Sequence, residues 1–160
     1  MSAQSVRAWI AQKAPDLPII EVEGTTATVM KTAAEALNVA PGRIAKTLAV
    51  RAGDRLFLLV ARGDARLDNR KCKEEFGARP RMLGPDETLE LTGHPVGGVC
   101  PFGLRNPLPV YLDVSLRAFD VVYPAGGSLN TSVEIPTERL FDLVVERWVD
   151  LCTLPEAAGA

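Results

Sequence analysis

The chain has 160 residues, of which 47% are hydrophobic and 24% charged, with a formal net charge of −2. That composition suits a single globular domain over residues 1–160 with enough apolar material for a core. It excludes a protein that coats nucleic acid along its length, because such proteins are basic, so any RNA contact must be local.

In chain order, "SVRAWIAQKAP" carries Val6, Trp9, Ile10 and Ala14 at helical spacing, with Ser5 or Ser2 as cap and Pro15 as stop. "LPIIEVEG" predicts a short strand, and "TTATVMKTAAEALNVAPG" a second helix ended by Pro41-Gly42. "TLAV" and "LFLLVA" flank "RAGDR", whose Gly-Asp pair is hairpin chemistry, so a hairpin deep in a sheet is expected. "ARLDNRKCKEEFG" predicts a polar helix closed by Gly77, and "GPDETLELTG" a short helix from Pro85-Asp86 to Gly93. "LPVYLDVSL", "AFDVVYPAG" and "TSVEI" read as strand-like pieces. "PTERLFDLV" reads as a helix with Pro136 in its first turn, and "VERWVDL" as a last strand. The order is no regular βαβ alternation. It predicts an α+β fold with a mixed sheet and helices around it.

The chain has no GxSxG elbow, HExxH or Walker loop, and one histidine. Cys72, Cys100 and Cys152 form no CxxC pair, so no metal is expected; their odd, scattered count suits a reducing compartment. No stretch approaches the roughly 20 apolar residues of a membrane helix, and the N-terminus lacks the apolar core of a signal. A cytoplasmic protein with no membrane partner is expected.

"GHPVGGVCPFGL", residues 93–104, concentrates glycine and proline. Gly97 and Gly98 allow positive φ and close approach to the backbone, and such N–H groups can form an oxyanion-binding concavity; a structural β-bulge is the plain alternative. His94 is expected in an exposed loop, and Cys100 as a small buried hydrophobe rather than a nucleophile. "YPAGGSLNTS" forms a second glycine cluster with Gly126, Gly127 and Ser128. Lys46 stands among apolar neighbours where a strand begins. Spacing leaves open whether it lies on a solvated face or points into a cleft, where its ammonium could hold a phosphate or ester oxygen.

Taken together, "IAKTLAV", "TGHPVGGVCPFGL" and "VVYPAGGSLNTSVEIPTERL" resemble the YbaK-like family, relatives of the editing domain inserted in bacterial prolyl-tRNA synthetase. The resemblance runs from about the first helix to "PTERLFDLV" and implies a mostly antiparallel mixed sheet. It also implies a trans-acting aminoacyl-tRNA deacylase that needs no cofactor, hydrolysing the ester of a mischarged tRNA, often tRNA(Pro). Family members differ in clearing alanine, cysteine, serine, threonine or other small amino acids. The family lysine matches Lys46, the GxxxP loop matches Gly97 through Pro101 with Gly98 inside it, and the later loop matches Gly126 and Gly127, with Ser128 next. The implied catalytic positions are thus Lys46, Gly97 and Gly98, and the implied substrate-binding positions Pro101, Gly126, Gly127 and Ser128. The partner is the acceptor end of an aminoacyl-tRNA, with an aminoacyl-tRNA synthetase as a further candidate. Two other readings stand beside it: a non-catalytic paralogue binding a tRNA end or a protein, and a thiol hydrolase built on Cys100 and His94.

Overall fold

The computed structural model describes residues 2–21, 39–95, 98–127, 131–144 and 147–154. The helix expected from "TTATVMKTAAEALN" falls on residues outside these.

Helix α1 (Ser2–Lys13) buries Val6, Ile10 and, just past its end, Ala14, the stripe its spacing predicts. Ser2 is already helical and Ser5 lies inside the helix. Strand β1 (Ile19–Glu21) follows. The expected hairpin is β2 (Ile44–Ala52) and β3 (Arg55–Arg62), paired from Ala45↔Arg62 to Ala52↔Arg55. Gly53 stands in its tight turn at φ 62°, where side chains with a Cβ are strained. After β4 (Arg66–Leu67) comes α2 (Asn69–Phe76), capped by the Asp68 carboxylate on the Lys71 N–H and closed by left-handed Gly77. Strand β5 (Pro80–Met82) leads to α3 (Pro85–Thr92), closed by left-handed Gly93.

The "LPVYLDVSL" segment splits into β6 (Val110–Asp113) and a 3-10 helix, Val114–Ala118. The split occurs where the Asp113 carboxylate accepts the Ser115 N–H and so caps a helical turn. Strands β7 (Val121–Pro124), β8 (Thr131–Val133) and β9 (Ile135–Pro136) follow, then α4 (Thr137–Val144), β10 (Arg147–Val149) and β11 (Cys152–Thr153). Pro136 therefore ends a strand instead of opening the helix; it lies opposite Val121 at an edge, where its missing N–H costs no ladder bond.

The main sheet runs β10-β6-β3-β2-β7-β9, with β5 on the far end of β2. Two small antiparallel pairs, β1-β8 and β11-β4, complete it; five of the eight pairings among the described residues are antiparallel. This is the expected α+β fold with a mixed, largely antiparallel sheet. Strand β3 explains its unbroken apolar run. Leu58 and Val60 enter one core cluster with α1, while Phe57, Leu59 and Ala61 enter a second on the other face. A strand buried on both faces cannot alternate polar and apolar residues.

Candidate functional site

Lys46 is the first residue of β2 beyond the β7 pairing, and it alternates to the face that carries Leu48 and Val50. Its Nζ donates to the Ala65 carbonyl, presented by the Arg62–Ala65 turn whose own bond, Ala65 N–H to the Arg62 carbonyl, is 3.0 Å. Burial pushes the ammonium below the ordinary lysine range; Cys152 and Asp64 oppose that shift, and Arg66 adds to it. Asp64 is held low chiefly by Arg62, whose guanidinium meets both carboxylate oxygens at 2.6 and 2.7 Å. Lys46 is thus a half-buried cation on a central strand, with a carboxylate close by.

The second glycine loop reaches the same level. Strand β7 runs parallel to β2 with Ala45 opposite Pro124, and Ala125 and Gly126 follow directly. Gly126 donates to the Thr131 carbonyl at 2.8 Å, and a Cβ there would lie 2.9 Å from Thr131 Oγ1, so the turn closes only on glycine. Gly127 takes φ 95°. Ser128 lies outside the described residues, as does Gly97.

In the first glycine stretch, Gly93 and Gly103, at its two ends, take left-handed φ. The Gly98 N–H donates to the Pro95 carbonyl at 2.9 Å, closing a turn. Val99, Cys100 and Phe102 are buried in the cluster that α1 covers, and Pro101 is buried beside them. Lys46 points to the other face of the sheet. The fold therefore brings Lys46 level with the start of the Gly126 loop, while the Gly98–Pro101 segment packs on the opposite side.

His94 corrects the expectation of an exposed loop residue, because it is fully buried. The left-handed Gly93 turns the chain inward, and the ring satisfies its polarity on the Phe102 carbonyl, 2.7 Å from Nε2. A carbonyl only accepts, so Nε2 carries the proton there. Cys100 Sγ lies 3.7 Å from the same nitrogen, within reach. Yet that nitrogen is already a donor, and burial pushes the thiol up to about 12. A base-activated thiolate is incompatible with both facts, and Cys100 is the buried hydrophobe its surroundings suggested.

Sequence reasoning missed three groups. Buried Asp113 accepts the Leu151 N–H at 2.8 Å and the Ser115 N–H at 3.0 Å, tying β6 to the segment after β10. Cys152, buried on β11, lies near Lys46. Thr47, next to Lys46, has a buried hydroxyl. Only contacts distant in sequence reveal these. The described residues contain no group of three His, Cys, Asp or Glu side chains placed to hold a metal, and no helix long and apolar enough to cross a membrane. All three cysteines are free and buried.

A mixed sheet whose central strand brings a half-buried lysine level with a glycine loop defines an α+β domain with a small polar site beside that strand. Comparison with known proteins makes the class specific: residues 23–143 match the aminoacyl-tRNA editing domain, and the chain belongs to that YbaK-like family. It is 46% identical over 95% of its length to the uncharacterized protein YwhH of Bacillus subtilis, covering 98% of that protein. The "Putative Cys-tRNA(Pro)/Cys-tRNA(Cys) deacylase EbsC" of Enterococcus faecalis is 27% identical, over 77% of this chain and 76% of its own. A crystal structure described as "a putative trans-editing enzyme for prolyl tRNA synthetase" superposes with TM-score 0.87 at 32% identity, covering 95% of this chain and 97% of the other.

Proposed function

We propose that this protein is a cytoplasmic, trans-acting aminoacyl-tRNA deacylase that acts as one editing domain over residues 1–160. Its substrate in this reading is tRNA(Pro) carrying a small non-cognate amino acid. The observation that carries the reading is Lys46, a cation half-buried on β2 at the level where the Gly126 loop begins, in a chain of the editing family.

An aminoacyl ester is already activated, so positioning a water and stabilising the oxyanion suffice. Lys46, on the sheet face away from the Gly98–Pro101 segment, exchanges the Ala65 carbonyl for the terminal adenosine phosphate. Backbone amides of the Gly97–Pro101 segment hold the carbonyl oxygen. With the Gly98 N–H engaged by Pro95, that task falls to other amides of the segment, and Gly98 shapes the turn. A water oriented by the substrate's 2′-hydroxyl attacks. Gly126, Gly127 and Ser128 wall the amino-acid side chain, excluding large ones sterically; a single methylene discriminates by only about 1–3 kcal/mol. The net charge of −2 limits long-range attraction to RNA, which suits delivery of the tRNA by a synthetase partner.

The test is a deacylation panel: tRNA(Pro) and several other tRNAs charged with alanine, cysteine, serine, threonine or proline. Turnover of a small non-cognate ester, with prolyl-tRNA(Pro) spared, is expected. The rival reading is a non-catalytic paralogue that holds a tRNA end or a protein. It is favoured by the engagement of the Lys46 amine by Ala65, and binding of tRNA ends without turnover would establish it.

A further inference from the structure

Thr47 follows Lys46 on β2 and faces the other side of the sheet. Ala45 and Ala49, two residues to either side, and Val60, its cross-strand partner on β3, all lie in the first core cluster. Side-chain alternation puts Thr47 on that face. The same cluster holds Val99, Cys100 and Phe102 of the first glycine stretch. Gly126 comes level with Thr47 when the register of Ala45 and Pro124 is carried two residues on. The side chain that β2 sends toward the face of the first glycine segment, at the level of Gly126, is therefore Thr47, not Lys46.

Its hydroxyl is sealed from solvent and has no hydrogen-bond partner, the one such side-chain oxygen among the described residues. A buried hydroxyl without a partner is costly, and valine would fill the same space and suit a strand equally well. An unpaired group of this kind calls for an explanation, and a ligand that completes it is one.

We infer that Thr47 is a substrate-binding residue whose hydroxyl completes its hydrogen bonding with the aminoacyl group of the ester. The inference rests on the deacylase reading for the nature of the ligand. With the hydroxyl sealed from solvent, such a bond gains strength from the low local dielectric, and it would discriminate by chemistry where the glycine loops discriminate by size.

The experiment compares wild type, Thr47→Val and Thr47→Ser. The probes are two non-hydrolysable adenosine analogues carrying alanine or serine through a 3′-amide, with binding read by calorimetry and folding by thermal melts. Thr47→Val is expected to melt at or above the wild-type temperature while losing roughly tenfold or more in affinity, and Thr47→Ser to recover most of it. Equal loss for both analogues places the contact on the shared amino or carbonyl group. Loss for the seryl analogue alone places it on the substrate side chain. Wild-type affinity in the valine variant overturns the inference. Failure of wild type itself to bind either analogue overturns the deacylase reading, and this inference with it. Thr47-dependent binding without turnover in the deacylation panel would keep Thr47 as a ligand contact and discard only catalysis.

Discussion

The His94 ring and the Phe102 carbonyl, eight residues apart in the chain, meet at 2.7 Å in a site closed to solvent. This bond, with the Thr92 hydroxyl accepting the His94 N–H at 3.0 Å, clamps both ends of the segment that contains Gly98 and Pro101. The clamp is a titratable one.

Burial holds the His94 pKa below its ordinary 6.5, with the Phe102 carbonyl opposing the shift. The unfolded chain therefore binds a proton that the folded protein refuses. Stability from this group is complete above 6.5 and is lost as pH falls toward and through the lowered folded value. No other histidine competes. Melting temperatures measured between about pH 5 and 8 should decline on the acid side, and His94→Gln should flatten that slope. A slope that persists in the glutamine variant would assign it to another group.

Cys100 should be chemically silent. Its thiol, pushed up to about 12, holds almost no thiolate at neutral pH. Iodoacetamide should label it only after denaturation, and Cys100→Ser should keep most deacylation. Complete loss of turnover in a folded serine variant would restore thiol catalysis.

Lys46→Ala should lower kcat/KM for deacylation of mischarged tRNA by about 10–100-fold, through the lost grip on the terminal phosphate. It removes one bond to the Ala65 carbonyl, so the melting temperature should shift by no more than about 4 °C. Single-turnover hydrolysis and calorimetry decide the matter together. Intact turnover in the alanine variant contradicts the role given to Lys46.

Asp113→Ala should be strongly destabilising. It strands the N–H groups of Leu151 and Ser115, which the buried carboxylate now accepts at 2.8 and 3.0 Å. One buried and one half-buried donor left unpaired cost about 3 kcal/mol, or about 6–12 °C in melting temperature for a chain of this size. Denaturant unfolding measures it, and a loss below about 1 kcal/mol would show that both amides find other partners.

Two glycines with the same backbone sign should respond unequally to alanine. Gly103 takes φ 61°, and a Cβ there would lie 2.8 Å from the Ser5 carbonyl oxygen on α1. Gly77 takes φ 78° with nothing within 4 Å. Gly77→Ala should cost only the left-handed strain, about 1–2 kcal/mol. Gly103→Ala should cost more, because backbone of α1 must move. Equal losses by urea unfolding would mean that α1 yields freely.

The elements legible in the sequence were those set by neighbours in the chain. Val6, Ile10 and Ala14 define one face of α1 by spacing alone, Gly53-Asp54 sits in the hairpin turn, and Asp68 and Gly77 cap α2. The unbroken run of β3 announced burial on both faces. Local patterns of this kind depend on φ preferences and side-chain period, which a few consecutive residues carry. The motifs around Lys46 and the two glycine segments identified the family for the same reason.

What the sequence by itself determined, then, was the class of fold and the residues around which a site is built. Tertiary structure decided the rest: that His94 is buried, that the Gly98 N–H is engaged by Pro95, that Asp113 accepts from Leu151, and that Lys46 and Thr47 serve opposite faces. Whether a polar group is paired, buried or exposed depends on partners supplied from elsewhere in the chain. His94 shows the reason most plainly, since an imidazole after Gly93 is a surface group until the Phe102 carbonyl arrives to accept its proton.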